Sequence, residues 1–133
     1  MAKTAEARTV SVSINRSPDE VYQFLAEPEN FPQWASGLGH AIRRHGDSWR
    51  VKTLHGEVTV RFSEPNPYGI VDHTVTPDEG DEIYVPMRVV TNGLGCEVLL
   101  TLFRQPGMTD AKFGEDAQWV ERDLQTLKNK LEK

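Results

Sequence analysis

The sequence predicts an α+β domain in which a curved antiparallel sheet wraps around one long C-terminal helix. Three observations lead there. First, Phe113, Ala117, Val120, Leu124, Leu127 and Leu131 recur in steps of four and three, laying a continuous apolar stripe along a helix over 110–133. At ~1.5 Å per residue that helix is ~36 Å long and needs an equally long partner. Second, the preceding residues offer short alternating runs divided by Gly, Pro and Asn, and such short links join antiparallel neighbours. Third, Ser17-Pro18-Asp19-Glu20 interrupts these runs with a helix start: an N-cap, a proline suited to the first turn and the acid of a capping box.

Taken in order, Val10, Val12 and Ile14 alternate with Ser11, Ser13 and Asn15, the period of a half-buried strand. The helix begun at Pro18 carries Val21, Phe24 and Leu25 inward and ends before Pro28, whose ring disfavours helix at Glu27. A second, very short helix or turn follows over 29–34, and Gly37 and Gly39 release the chain into the sheet. Strands are expected at 40–45, 49–54, 57–63, 68–76, 82–90 and 96–104, which with the first makes a seven-stranded sheet. The turns between them carry Gly46-Asp47, His55-Gly56, Pro65-Asn66-Pro67, the acidic loop Pro77 to Asp81, and Asn92-Gly93-Leu94-Gly95. Pro86, inside a strand, calls for a bulge or an edge. Thr109 or Asp110 caps the final helix, with Lys128, Lys130 and Lys133 near its negative end.

The bulk properties narrow the function classes. A chain of 133 residues is one domain, 1–133, and its 38% apolar and 26% charged content suits a soluble globular protein. A net charge of -5 disfavours a nucleic-acid partner. No run reaches transmembrane length, so stable membrane insertion is not expected. One cysteine, Cys96, rules out an intramolecular disulfide and fits a reducing compartment, and Met1 to Arg8 has no apolar signal core. A cytoplasmic location is the expectation. His40, His45, His55 and Cys96 lack metal-ligand spacing, so no metal and no cofactor are expected.

The order strand, two short helices, six strands, long helix resembles the helix-grip fold. That fold is shared by lipid-transfer START domains, birch-pollen-allergen-like proteins and bacterial polyketide cyclase/dehydrase relatives (SRPBCC). The resemblance rests on Ser17-Pro18-Asp19-Glu20-Val21-Tyr22-Gln23-Phe24-Leu25, on Pro28-Glu29-Asn30-Phe31-Pro32-Gln33-Trp34, and on Trp119-Val120-Glu121-Arg122-Asp123-Leu124. It implies an elongated cavity between the long helix and the concave face of the sheet. Relatives use that cavity for lipids, hormones, quinones or polyketide intermediates, and a few are enzymes. Fold likeness does not choose among them.

Strand alternation then proposes the lining of that cavity. Val60 and Phe62 set the phase of one strand, Val85 and Met87 of another, Val98 and Leu100 of a third. Trp49 and Thr53 share a face with Val51, while Trp34 plugs the mouth and Trp119, beside Val120 and one step off the main stripe, reaches a cavity wall or lies against the sheet rim. The sharpest candidate is His73, in phase with Val71 and Val75. An imidazole there orients a ligand, serves as a general base, or is satisfied by neighbouring backbone. Asp72 cannot orient it, because adjacent strand residues point to opposite faces. Three functions follow from the sequence: binding of a small hydrophobic or amphipathic molecule, a cyclase or dehydratase in the same cavity, or an interaction module with an unknown protein partner. No catalytic residue is assigned.

Overall fold

The computed structural model describes residues 2–35, 38–53 and 56–133. Its elements follow the expected order. Strand β1 (Ala7–Ile14) leads to α1 (Pro18–Ala26), a single 3-10 turn (Pro28–Asn30) and the one-turn helix α2 (Phe31–Trp34). Then come β2 (Leu38–His45), β3 (Ser48–Thr53), β4 (Gly56–Phe62), β5 (His73–Pro77), β6 (Ile83–Val85), β7 (Met87–Asn92) and β8 (Gly95–Phe103). The chain closes with α3 (Asp110–Leu131). The expected release at Gly37 and the turn residue His55 lie outside the described residues.

The caps form as the sequence reads. Ser17 Oγ accepts the N–H of Glu20 at 3.2 Å, and Thr109 Oγ1 accepts that of Lys112 at 3.1 Å. Four α3 stripe residues, Phe113, Ala117, Leu124 and Leu127, are buried, while Val120 and Leu131 pack half-buried against the core. The flank of α3 beside β1 is fastened by Lys128 Nζ, which donates to Ser13 O at 2.7 Å, and by Glu132, which accepts the Asn15 N–H at 2.7 Å. At the other end, Arg104 donates to Met108 O and to the carboxylates of Glu6 and Asp110.

Every strand pair is antiparallel, but the sheet divides into two parts, β1-β8-β7 and β2-β3-β4-β5-β6. The division falls at Pro86. The strand expected over 82–90 is two strands, because a proline has no N–H for the ladder and the chain there changes partners. Strand β6 pairs with β5, whereas β7 pairs with β8. The strand expected over 68–76 is shortened to His73–Pro77, because Asn66 folds the chain before it into a tight turn. Residues 69–71 instead bond to the free edge of β7: Val71 N–H to Met87 O and Val89 N–H to Gly69 O, both 2.9 Å.

One carboxylate holds this corner. Asp72 Oδ1 accepts Met87 N–H at 2.8 Å and Arg88 Nε at 2.9 Å, while Oδ2 accepts Tyr84 O–H at 2.8 Å and Arg88 Nη2 at 2.9 Å. The Asp72 carbonyl accepts both the N–H and the hydroxyl of Ser63, at the end of β4. Burial of Asp72 alone would raise its pKa, but the bonds from Arg88, Met87 and Tyr84 outweigh burial and lower it to about 2. Since that lies below the usual 3.8, the carboxylate stabilises the fold above pH ~4, and its contribution is lost as pH falls through about 2.

The acidic loop after β5 is fastened at its first acid, where Asp78 takes a two-pronged ion pair from Arg50 at 2.9 and 3.2 Å. Residues 79–82 beyond it are exposed.

Leu124, 1% exposed at the centre of the α3 stripe, is where the grip is most easily broken. Leu124→Asp buries an unpaired charge there and should cost about 4 kcal/mol or more, leaving no cooperative thermal transition by circular dichroism. A melt retained within a few degrees of wild type would show that α3 does not pack in this way.

Candidate functional site

The side chains expected to line the cavity separate into a filled core and a second group that is partly half-buried. Met87, Val98 and Leu100 belong to one contiguous buried cluster with Ile14, Val21, Leu25, Leu124 and Leu127, and Val85 joins it. Register places the second group on the face of the five-stranded part that carries the interior. Trp49 lies opposite Val60, Val51 opposite Val58, Val60 opposite Val75, and Phe62 opposite His73. Val51 and Val60 are fully buried, whereas Trp49, Thr53, Val58, Phe62 and Val75 are half-buried. Arg44 places its guanidinium 6.0 Å from the Trp49 ring, and Thr53 Oγ1 donates to Gly56 O at the β3–β4 turn.

His73 stands at the start of β5 and is 6% exposed, with the expected phase. Its ring lies 5.5 Å from Phe31 and 5.9 Å from Phe62, centroid to centroid, and Phe31 meets Phe62 and Trp34 edge-on at 5.3 Å each. The structure thus brings together His73, Phe62 and Trp34 of the expected residues, and adds Phe31, which the strand pattern does not single out. The available signal was helical: Phe31 and Trp34 are three apart on α2, so both face one way.

The chemistry of the imidazole follows from one contact. Nδ1 lies 3.2 Å from Val71 O, and a carbonyl only accepts, so Nδ1 carries the proton. Burial is the largest influence on the ring and holds its pKa below 6.5, against the smaller opposing pulls of Val71 O and Asp72. The ring is therefore neutral at pH 7 and bears its lone pair on Nε2. Asp72 faces the other side of the strand, as expected; it fixes the backbone before His73 and adds a small through-space pull on the ring.

On α3, Trp119 is 38% exposed with Arg122 at 5.0 Å from its ring, and Val120 is half-buried against the core. Cys96 is buried beside Ile14 in the core, and burial raises its thiol pKa, which suits packing and not nucleophilic chemistry.

This architecture, short helices after β1 and a bent sheet gripping a C-terminal helix, has counterparts among solved structures. A START superfamily protein from Mycobacterium smegmatis superposes with a TM-score of 0.68 at 13% identity, over 94% of this chain and 98% of that one. Ara h 8.0201 does so with 0.69 at 10% identity, over 94% and 96%. The chain adopts the helix-grip fold. A third helix-grip structure, DynU16 of the dynemicin biosynthetic locus, matches with a TM-score of 0.69 at 21% identity, over 95% of this chain and 47% of that one. No protein-family model and no curated protein matches the sequence. Among the described residues, no helix is long and apolar enough to cross a membrane.

Because its folded pKa lies below the unfolded value, His73 contributes full stability above pH ~6.5 and destabilises as pH falls below it. His73→Phe keeps the ring and removes the proton site. Between pH 7 and 5 the melting temperature of wild type should therefore fall further than that of the variant. Parallel profiles would mean that the buried ring titrates as it does in water.

Proposed function

We propose that the protein binds a small hydrophobic or amphipathic molecule, lipid, polyketide or quinone-like, between α3 and the concave face of the five-stranded part of the sheet. The observation that carries this reading is the neutral His73, a polar group set among Phe31, Phe62 and Trp34 on the inner face. A purely structural core has little use for an imidazole at that position. As a neutral ring with its lone pair on Nε2, it accepts a hydrogen bond from a hydroxyl or amide of a guest, and the aromatic rings take the guest's apolar part. Val60 and Phe62 line the wall, Trp49 and Thr53 extend it, and Trp119 with Val120 closes the rim from α3.

The fold likeness to a START superfamily protein and to DynU16 of a biosynthetic locus supports a hydrophobic guest, with polyketides among the candidates. Binding is favoured over catalysis by what surrounds the imidazole. Among the described residues, two aromatic rings and a carbonyl are set against the imidazole while Asp72 faces the other side of the strand, whereas acid–base turnover needs a second titratable group within reach.

The test is native mass spectrometry of freshly purified protein, followed by calorimetric titration with the molecule released on denaturation. A retained mass is expected, with His73→Phe weakening its binding by about 1 kcal/mol, or roughly fivefold, at unchanged shape. A ligand bound equally by wild type and His73→Phe would remove the imidazole as the polar handle. Absence of any retained mass, together with no binding of 8-anilinonaphthalene sulfonate, would contradict the reading itself.

A further inference from the structure

The inner face of the five-stranded part of the sheet is built in rows, because directly opposed residues on antiparallel strands point the same way. One row is Phe62, His73 and Val85. The next crosses the whole width of the sheet: Arg44, Trp49, Val60, Val75 and Ile83. A third holds Ile42, Val51, Val58 and Pro77. The polar side chains of these rows are His73 and Arg44, and no carboxylate stands among them.

Arg44 is placed differently from its neighbours on the opposite face. There Arg43 pairs with Glu57, Arg50 with Glu57 and Asp78, and Arg88 with Asp72. Arg44 instead lies 6.0 Å over the Trp49 ring, and its Nε donates to Gly46 O at 3.3 Å. Among the described residues it has no carboxylate partner. It lines an open concavity of about 680 Å³ with Asp47, Ser48, Arg61, Phe62 and Glu64. Arg61, near the end of β4, is likewise without a carboxylate partner among the described residues. Phe62 belongs to both places, lining this concavity and lying 5.9 Å from His73, so one aromatic wall joins the concavity to the imidazole. Asp47 and Glu64 share the rim but stand off the inner-face rows, one in the β2–β3 turn and the other past the end of β4.

We propose that the guest of the grip is an amphipathic acid, its carboxylate held by Arg44 with Arg61 beside it, and its chain running over Phe62 toward His73. This rests on the reading that the inner face binds a hydrophobic molecule, and it adds the chemical class. A guanidinium lying over an indole keeps its N–H fork free at the edge, and that fork fits a carboxylate. Three strand spacings, ~14 Å, separate β2 from β5, so a medium-length alkyl chain reaches the aromatic cluster from Arg44. An inward charge on an edge strand also discourages edge-to-edge pairing, but either sign does that, whereas only a cation selects an acid.

The experiment is displacement of the neutral dye N-phenyl-1-naphthylamine from the full chain by decanoate, decan-1-ol and decylammonium at pH 7. Decanoate should compete about fivefold better than decanol, and decylammonium worse than either. Arg44→Gln should remove the preference for decanoate. Arg44→Glu, which keeps a charge on the edge strand, should invert the order of decanoate and decylammonium. Equal competition by decanol and decanoate, or a preference that survives Arg44→Gln, would overturn the proposal and leave the hydrophobic guest standing. Tighter binding of decylammonium to wild type would show that Asp47 and Glu64 govern the rim, and would overturn it too. No uptake of the dye and no displacement would remove the binding reading and the proposal together.

Discussion

The structure depends on how a sheet interrupted by a proline keeps its two parts together. At Pro86 the chain leaves β5 for β8, and a backbone changing partners strands its N–H and C=O groups unless something receives them. Asp72 receives the first one, the N–H of Met87, and fills the rest of its acceptor capacity with Arg88 and Tyr84. The Pro86 carbonyl is taken by the N–H of Thr101 on β8. Charge-assisted bonds of this kind are shorter and stronger than neutral ones, and the carboxylate is only 14% exposed, so water competes weakly. The corner thereby holds the bend at which the sheet divides, and α3 packs on the β1-β8 side of it.

The same residue sets up the interior. Asp72 and His73 are neighbours in sequence and opposites in direction: the carboxylate anchors the outer corner, and the imidazole is thereby presented to the inner face. Fixing one fixes the other, because a strand offers no torsion by which His73 could turn away while Asp72 stays bonded. Phe31 and Trp34 arrive from α2, whose one turn is too short to stand alone and persists through the burial of those two rings. Chemistry on the inner face and charge on the outer face are two readings of a single register.

What the sequence disclosed, and what it withheld, follows from the range of the interactions. The α3 stripe, the caps at Ser17 and Thr109, and the inward phase of His73 are encoded in spacings of two to four residues, and each is found as expected. Pro86 announced an interruption, but not that it would divide the sheet. The Asp72 cluster joins residues 12 to 16 positions apart across a corner, and the Tyr22–Asn66 bond spans 44. Neither leaves a periodic trace, so neither was legible. Phe31 was visible as an aromatic, yet its place against His73 depends on where α2 lands on the sheet. The expected lining lay between these cases: Val60 and Val85 are buried and Phe62 half-buried, but alternation could not tell a filled core position such as Val98 from a half-buried one such as Trp49.

The central claim, that one carboxylate holds the bend by pairing across Pro86, is tested most directly by a double-mutant cycle on Asp72→Asn and Arg88→Met, with urea denaturation at pH 7 and at pH 2. The account predicts a coupling energy of about 1 kcal/mol at pH 7, since Met87 and Tyr84 share the stabilisation of the carboxylate and Arg88 is half exposed, and a clearly smaller coupling at pH 2, where the carboxylate is partly protonated. Additive single substitutions at pH 7 would contradict it, and would leave the bend to Pro86 and the backbone alone.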